Sequence, residues 1–179
     1  MILICTVTLL FLLWLFQTQL YRFKTSKKIS EDIKDLLFKL GKEPLKNNDI
    51  PIGAVLIYKR KVIGKGYNNV IKDKCLSGHA EINAINNAYS KLGKQFFELD
   101  YKKLILFSTY EPCEMCKGAL THYNIRKVFF IKRKPIKMQL KSTLKEIYYE
   151  LTKKKIRSLD FQEDLFLMHP EYKKIKNHQ

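Results

Sequence analysis

A chain of 179 residues is long enough to bury the core of one domain, with or without an appendage. Its 34 Lys and Arg residues outnumber 17 Asp and Glu residues, and the resulting charge of +17 favours an anionic partner such as nucleic acid or a membrane surface. A coding bias toward lysine would produce much the same excess without any partner. Four cysteines, of which only two lie close together, exclude a disulfide scaffold.

The N-terminal segment predicts a membrane anchor. Residues 1–21 carry no charge, are strongly apolar as far as Phe16, and together approach the length of about 20 residues that crosses a bilayer. Residues 22–29 form a basic linker, and by the positive-inside rule its charges hold the following domain in the cytoplasm. We therefore expect an uncleaved single-pass anchor at 1–21. The alternatives are an apolar helix packed on the domain and an atypical signal peptide.

The remaining sequence alternates between strand-like and helix-like segments. Apolar runs bounded by turn residues predict strands at IPIGAVLIYK, KVIGKGYNNV, KKLILFST and RKVFFIK. Helical spacing and capping residues predict helices that begin at Ser30, His79, Pro112 and Leu140. Gly41 is expected to end the first helix, and a short helix is expected after Lys153. This alternation predicts an α/β domain over residues 30–179, with helices on both faces of a sheet.

Two short motifs predict a zinc site that carries out catalysis. His79 and Glu81 begin one predicted helix, and Cys113 and Cys116 begin another. One imidazole and two thiolates leave a fourth zinc position open, as catalytic sites require, and Glu81 is then free to carry protons. Either motif alone is weak, because His-x-Glu is common and Cys-x-x-Cys also occurs in redox proteins. Together, HAE and PCEMC match the signature of zinc-dependent hydrolytic deaminases.

The sequence resembles the cytidine deaminase-like superfamily well beyond these motifs. DIPIGAVLIYKRKVIGKGYNN, GHAEINAI and STYEPCEMCKGALTHYNIRKVFF are most similar to its tRNA-specific adenosine deaminase and guanine deaminase branch. The resemblance implies a three-layer α/β/α sandwich with a central mixed sheet, and a homodimer. It implies zinc (Zn2+) on His79, Cys113 and Cys116 and a proton shuttle at Glu81. It also implies that Asn68 hydrogen-bonds the base and that the Ala80 N–H faces the reacting group, whereas the sequence alone favours a turn role for Asn68.

The substrate that we expect is adenosine in tRNA, converted to inosine. The basic stretches IKRKPIK and KKKIR favour an RNA partner. One departure from the branch favours a free nucleobase or nucleoside such as guanine, cytosine or cytidine: the Gly-containing segment usual after Ile131 is replaced by KRKPIKMQLKSTLKEIYYE. A second departure leaves the preferred base open, because the loop before His79 reads Cys-Leu-Ser-Gly where the family often has Asp-Pro-Thr-Ala. A membrane-anchored, non-catalytic zinc-binding protein is a further alternative.

Overall fold

The computed structural model describes residues 29–152, which fall into two compact units separated between Lys134 and Pro135. The described residues of the first unit form a sheet, three α-helices and three short 3-10 helices. The second contains one described α-helix, Ile136–Thr152. The predicted short helix after Lys153 and nearly all of the basic linker lie outside the described residues. Whether residues 30–179 act as one domain stays a prediction.

The sheet of the first unit is mixed, as the resemblance implies. Its strands in the described residues are β1 (Gly53–Tyr58), β2 (Lys61–Tyr67), β3 (Leu104–Tyr110) and β4 (Lys127–Lys132). They lie in the order β2-β1-β3-β4, with β1 antiparallel to both neighbours and β3 parallel to β4. Therefore β2, β3 and β4 run in the same direction, and their carboxyl ends meet at one edge of the sheet.

Helices of the first unit cover both faces of this sheet. They are α1 (Glu31–Lys42), α2 (Ala80–Leu92) and α3 (Glu114–His122) in its described residues. The helix of the second unit, Ile136–Thr152, is α4. Alternate residues of β1 point to opposite faces. Val55 and Ile57 pack with Leu37 of α1, whereas Leu56 packs with residues of α2 and with Leu120 of α3. The predicted α/β class is therefore confirmed.

Two glycines in β2 allow α2 to approach the sheet unusually closely. A Cβ atom at Gly64 would lie 2.1 Å from the carbonyl oxygen of Ala84, and one at Gly66 would lie 2.2 Å from that of Ala80. Real Cβ atoms essentially never come so near to a backbone oxygen, so only glycine fits at either position. Because Gly66 pairs with Ala54 and Ala54 pairs with Ser108, the first turn of α2 lies over a row of small residues.

Three predicted helix boundaries differ from the structure, and one of them is the start of α4, which lies at Ile136 instead of Leu140. The first helix continues past Gly41 to Lys42, and a 3-10 helix, Glu43–Asn47, follows directly. The helical segment ends at Asn48, whose backbone is left-handed (φ 57°). Asn48 therefore has the helix-ending role that the sequence analysis expects of Gly41. Pro112 does not open α3, because Cys113 is the N-cap and Glu114 is the first helical residue.

The predicted membrane localisation, with residues 1–21 as a single-pass anchor and the domain in the cytoplasm, is contradicted. Nowhere in residues 29–152 is there a helix with the length and apolar character needed to cross a bilayer. Residues 1–21 themselves lie outside the described range. The expected N-terminal hydrophobic helix also falls on these residues and finds no support in the part of the chain that the structure describes.

Replacing Gly66 tests whether the close approach of α2 depends on glycine. Gly66→Ala is expected to lower the free energy of unfolding by about 1–3 kcal/mol, because the new methyl group must displace backbone atoms of α2. Gly118→Ala is the matched control: nothing lies within 4 Å of its Cβ position in α3, so that variant should gain up to about 1 kcal/mol. Denaturant unfolding of both proteins checks this, and equal loss in the two variants would contradict it.

Candidate metal centre and active-site pocket

The structure places His79 and Glu81 at the amino end of α2. His79 is the N-cap residue, and its extended backbone (φ −79°, ψ 151°) turns the chain from the loop into the helix. Glu81 lies in the first turn and is only 4% exposed. Because the preceding strand β2 ends at Tyr67, the helix begins at the sheet edge where the carboxyl ends of β2 and β3 meet.

Cys113 and Cys116 are placed in the same way by α3. Cys113 is its N-cap, and Cys116 lies one turn further along with no exposed surface. The helix follows β3, so its amino end reaches the same sheet edge as that of α2. Helix N-termini stabilise negative charge, which favours the thiolate form that binds metal.

The three donor atoms form a triangle of the size that zinc requires. His79 Nδ1 lies 3.4 Å from Cys113 Sγ and 3.6 Å from Cys116 Sγ, and the two sulfur atoms are 3.5 Å apart. Tetrahedral zinc with Zn–S bonds of about 2.3 Å and a Zn–N bond of about 2.0 Å separates its ligand atoms by about 3.5–3.8 Å. The donor set and its spacing therefore fit zinc with one coordination position left open.

The protonation of the two thiols also suits a metal centre. The hydrogen bond between the sulfur atoms lowers the pKa of Cys113 to about 5, and His79 contributes to the same shift. The same hydrogen bond, together with burial, raises the pKa of Cys116. Cys113 therefore gives up its proton more readily than Cys116. A divalent cation bound at the triangle would stabilise both thiolates.

Glu81 is held in a buried position beside this triangle. The Ser108 hydroxyl donates to its Oε1 over 3.3 Å, and the Cys116 thiol donates to its Oε2 over 3.4 Å. Burial raises the pKa of the Glu81 carboxyl. Sequence analysis missed Ser108, which is fully buried in β3; its signal is a polar residue at the end of an otherwise apolar strand.

A cavity of about 300 Å³ opens beside the donor triangle. This volume lies at the lower end of the range of about 300–1,000 Å³ that is typical of small-molecule pockets. The structure brings the sequence-predicted residues together here, because His79, Ala80, Glu81 and Asn68 all line the cavity. The remaining lining residues are mostly apolar: Asp49, Ile50, Ile52, Val70 and Ile71.

Asn68 joins two segments beside the cavity: one contains Ile50, and the other contains Gly78 just before His79. In the amide orientation that satisfies both neighbours, its nitrogen donates to the Gly78 carbonyl over 3.1 Å and its oxygen accepts from the Ile50 N–H over 3.2 Å. The residue is 5% exposed and directly follows β2. These hydrogen bonds hold the loop that follows β2 in place. An amide retains one further donor and one further acceptor, so contact with a base stays a prediction.

Cys75 does not belong to the donor triangle. Its side chain is exposed, and its sulfur lies 3.3 Å from the Ser77 hydroxyl. Among the residues described, the group of side chains able to hold a metal ion consists of His79, Cys113 and Cys116. The site is therefore not closed by a fourth cysteine, as catalysis requires.

Fold and site together define a zinc-binding deaminase domain. The family described as "Cytidine and deoxycytidylate deaminase zinc-binding region" matches residues 27–132, which is more than half of the chain. The chain belongs to this family, and it is a hydrolytic deaminase with zinc as its cofactor.

Relatives of the chain by sequence include tRNA-specific adenosine deaminases. The chain is 32% identical over 117 residues to that of Buchnera aphidicola subsp. Schizaphis graminum, covering 62% of this chain and 70% of the relative. It is 34% identical over 101 residues to tRNA-specific adenosine deaminase 2 of Xenopus tropicalis, covering 51% of this chain and 57% of that relative.

Two solved structures share the fold. One comes from a study of A-to-I editing by tRNA:A34 deaminases (TM-score 0.54, 28% identity, 59% of this chain and 74% of that one). The other is guanine deaminase from Bacillus subtilis (TM-score 0.58, 25% identity, 78% of this chain and 92% of that one). The resemblance found in the sequence is therefore confirmed for both members of the branch.

Zinc analysis of single-residue variants tests the donor triangle. The purified protein is expected to hold about one zinc ion per chain, and His79→Ala or Cys113→Ala should lose nearly all of it because two donors bind zinc weakly. Cys75→Ala is the matched control and should retain the wild-type content, since its sulfur lies outside the triangle. Metal analysis by mass spectrometry measures this. Zinc retained by Cys113→Ala but lost by Cys75→Ala would contradict the assignment.

Proposed function

We propose that the chain deaminates adenosine in tRNA to inosine, with zinc on His79, Cys113 and Cys116 and with Glu81 as the proton shuttle. One observation carries the proposal: a buried carboxylate lies beside three zinc donors and borders a cavity of small-molecule size. A structural zinc site would have no use for such a group. This buried Glu81 also argues against the alternative of a non-catalytic zinc-binding protein.

Hydrolytic deamination replaces an amino group by oxygen from water and releases ammonia. Zinc held by the triangle would lower the pKa of water from about 15.7 to about 7 and so make hydroxide available at neutral pH. Glu81 takes up the proton that the water loses and delivers it to the departing amino nitrogen. Burial raises the pKa of Glu81, which makes the carboxylate a stronger proton acceptor. Ser108 orients the carboxyl through the hydrogen bond to Oε1.

The base occupies the cavity that Asn68 and Ala80 line. Ala80 is the first residue of α2, so its N–H has no partner within the helix and is available to the substrate. The spare donor and acceptor of Asn68 supply further hydrogen bonds to a base. Isoleucine and valine side chains pack against the flat faces of the ring.

Two sets of observations bear on the substrate. The tRNA-specific adenosine deaminases among the relatives, together with the charge of +17, support a tRNA substrate. The longer match to guanine deaminase, of which 92% is covered, supports a free base as the second candidate. We favour tRNA because a pocket for a free base has no need of a basic surface. A homodimer stays a prediction from the family resemblance.

Parallel assays decide between the two substrates. The zinc-loaded chain is incubated with unmodified tRNA that carries adenosine at the wobble position, and separately with guanine, adenine, cytosine and their nucleosides. Inosine in tRNA alone would support the proposal. Product from a free base alone would instead support the second candidate function, deamination of a free base. Zinc bound but no product from any substrate would contradict both enzymatic assignments.

A variant of Glu81 tests the proton shuttle. Glu81→Gln is expected to lower kcat by about 10²–10⁴-fold, because the amide cannot accept a proton, while zinc content stays unchanged. Glu98→Gln makes the same chemical change at an exposed position outside the cavity and should retain wild-type activity. Mass spectrometry of the product gives the rates. Wild-type activity in Glu81→Gln would refute the assigned role.

A further inference from the structure

We propose that Asp49 is a positioning residue that fixes one wall of the substrate pocket and so sets how tightly the base binds. The inference rests on the proposed function, and Asp49 has no part in the chemistry described above. Its carboxylate lines the cavity yet is only 4% exposed. A buried carboxylate needs strong partners, because removing its charge from water costs free energy.

Those partners are two consecutive backbone N–H groups across the cavity. Ile71 donates to Oδ1 over 2.7 Å, and Lys72 donates to Oδ2 over 3.0 Å. Both carboxylate oxygens are thus engaged, and hydrogen bonds to a charged acceptor are stronger than neutral ones. The backbone of Asp49 is fixed in turn, because its N–H donates to the Pro44 carbonyl of the 3-10 helix over 3.1 Å.

The segment held in this way forms the wall of the pocket. Val70 and Ile71 both line the cavity, and Ile71 is one of the residues bound directly by Asp49. The Cys75 N–H donates to the Val70 carbonyl over 3.1 Å, so this hydrogen bond closes a turn over residues 70–75. Asn68 fastens the start of the same loop to Ile50 and Gly78. Asp49 therefore anchors the same loop at a second point, beside the residues that line the cavity.

The wall lies on a different element from the reacting centre. The zinc donors and Glu81 are carried by the amino ends of α2 and α3, whereas Asp49 acts on the loop between β2 and α2. Contacts between the wall and the ring are the same before and during reaction. Losing them weakens binding of substrate and transition state equally, which raises KM and leaves kcat nearly unchanged.

The experiment compares Asp49→Asn with Asp100→Asn in the zinc-loaded full chain. Asparagine keeps the size of the side chain but presents an NH2 group to one of the backbone N–H groups, so one hydrogen bond is lost. Asp100 is the matched control, because it also accepts a backbone N–H, that of Lys102 over 3.1 Å, but lies outside the cavity. For Asp49→Asn we expect KM to rise about tenfold with kcat changed less than about threefold. Asp100→Asn should match the wild type in both.

A purely structural role would give a different result. If Asp49 only stabilised the fold, Asp49→Asn would contain less active protein, so apparent kcat would fall at unchanged KM. That outcome, or equal KM values in both variants, would overturn the inference while leaving wild-type turnover as support for the proposed function.

Binding measurements decide the inference even if the wild type turns over none of the substrates. Calorimetry with purine riboside as the probe should give a dissociation constant about tenfold higher for Asp49→Asn than for the wild type and Asp100→Asn. An unchanged dissociation constant would overturn the inference. A wild type that neither binds purine riboside nor turns over any base would overturn both the inference and the proposed function, because the cavity would then hold no base.

Discussion

The close contact between α2 and the sheet is the constraint on which the site depends. Gly66, Ala54 and Ser108 lie side by side in neighbouring strands and leave room above them for the first turn of the helix. Because a Cβ atom at Gly66 would collide with the backbone of α2, the helix can approach only where β2 carries no side chain. That approach brings Glu81 within hydrogen-bond distance of Ser108 and Cys116. Small residues in the sheet thus set the position of the reacting groups.

The same contact places polar groups where burial is costly. A carboxyl, an imidazole and two thiols are linked by contacts of hydrogen-bond length, and burial is the largest cause that raises the pKa of the carboxyl. The contact between the two sulfurs lowers the pKa of Cys113 and raises that of Cys116. Functional sites commonly show such strongly perturbed groups, because stability is sacrificed there for reactivity. The apolar packing of α1 against Val55 and Ile57, on the other face of the sheet, contains no comparable group.

The sequence was most informative where a pattern is local. Apolar runs identify the strands, and the spacing of HAE and PCEMC identifies the three donors, because each motif occupies a single helix start. Contacts that join distant segments are not visible in this way. Ser108 meets Glu81 across 27 positions, and Asp49 meets Ile71 across 22, so neither pairing has a sequence signal. The predicted membrane localisation was wrong for another reason: an apolar run in a sequence does not by itself show that a helix crosses a bilayer.

The site is assembled from two segments of the chain. His79 and Glu81 belong to the segment β1-β2-α2, whose contacts join residues close in sequence, and the two cysteines belong to β3-α3-β4. The two segments join through the antiparallel pairing of β1 with β3. Because these strands are far apart in sequence, their pairing is slow to form. We expect the ligand triangle to be completed only at this late step. A nascent chain would then offer zinc no more than the cysteine pair, and selection of the metal would fall to the nearly folded protein.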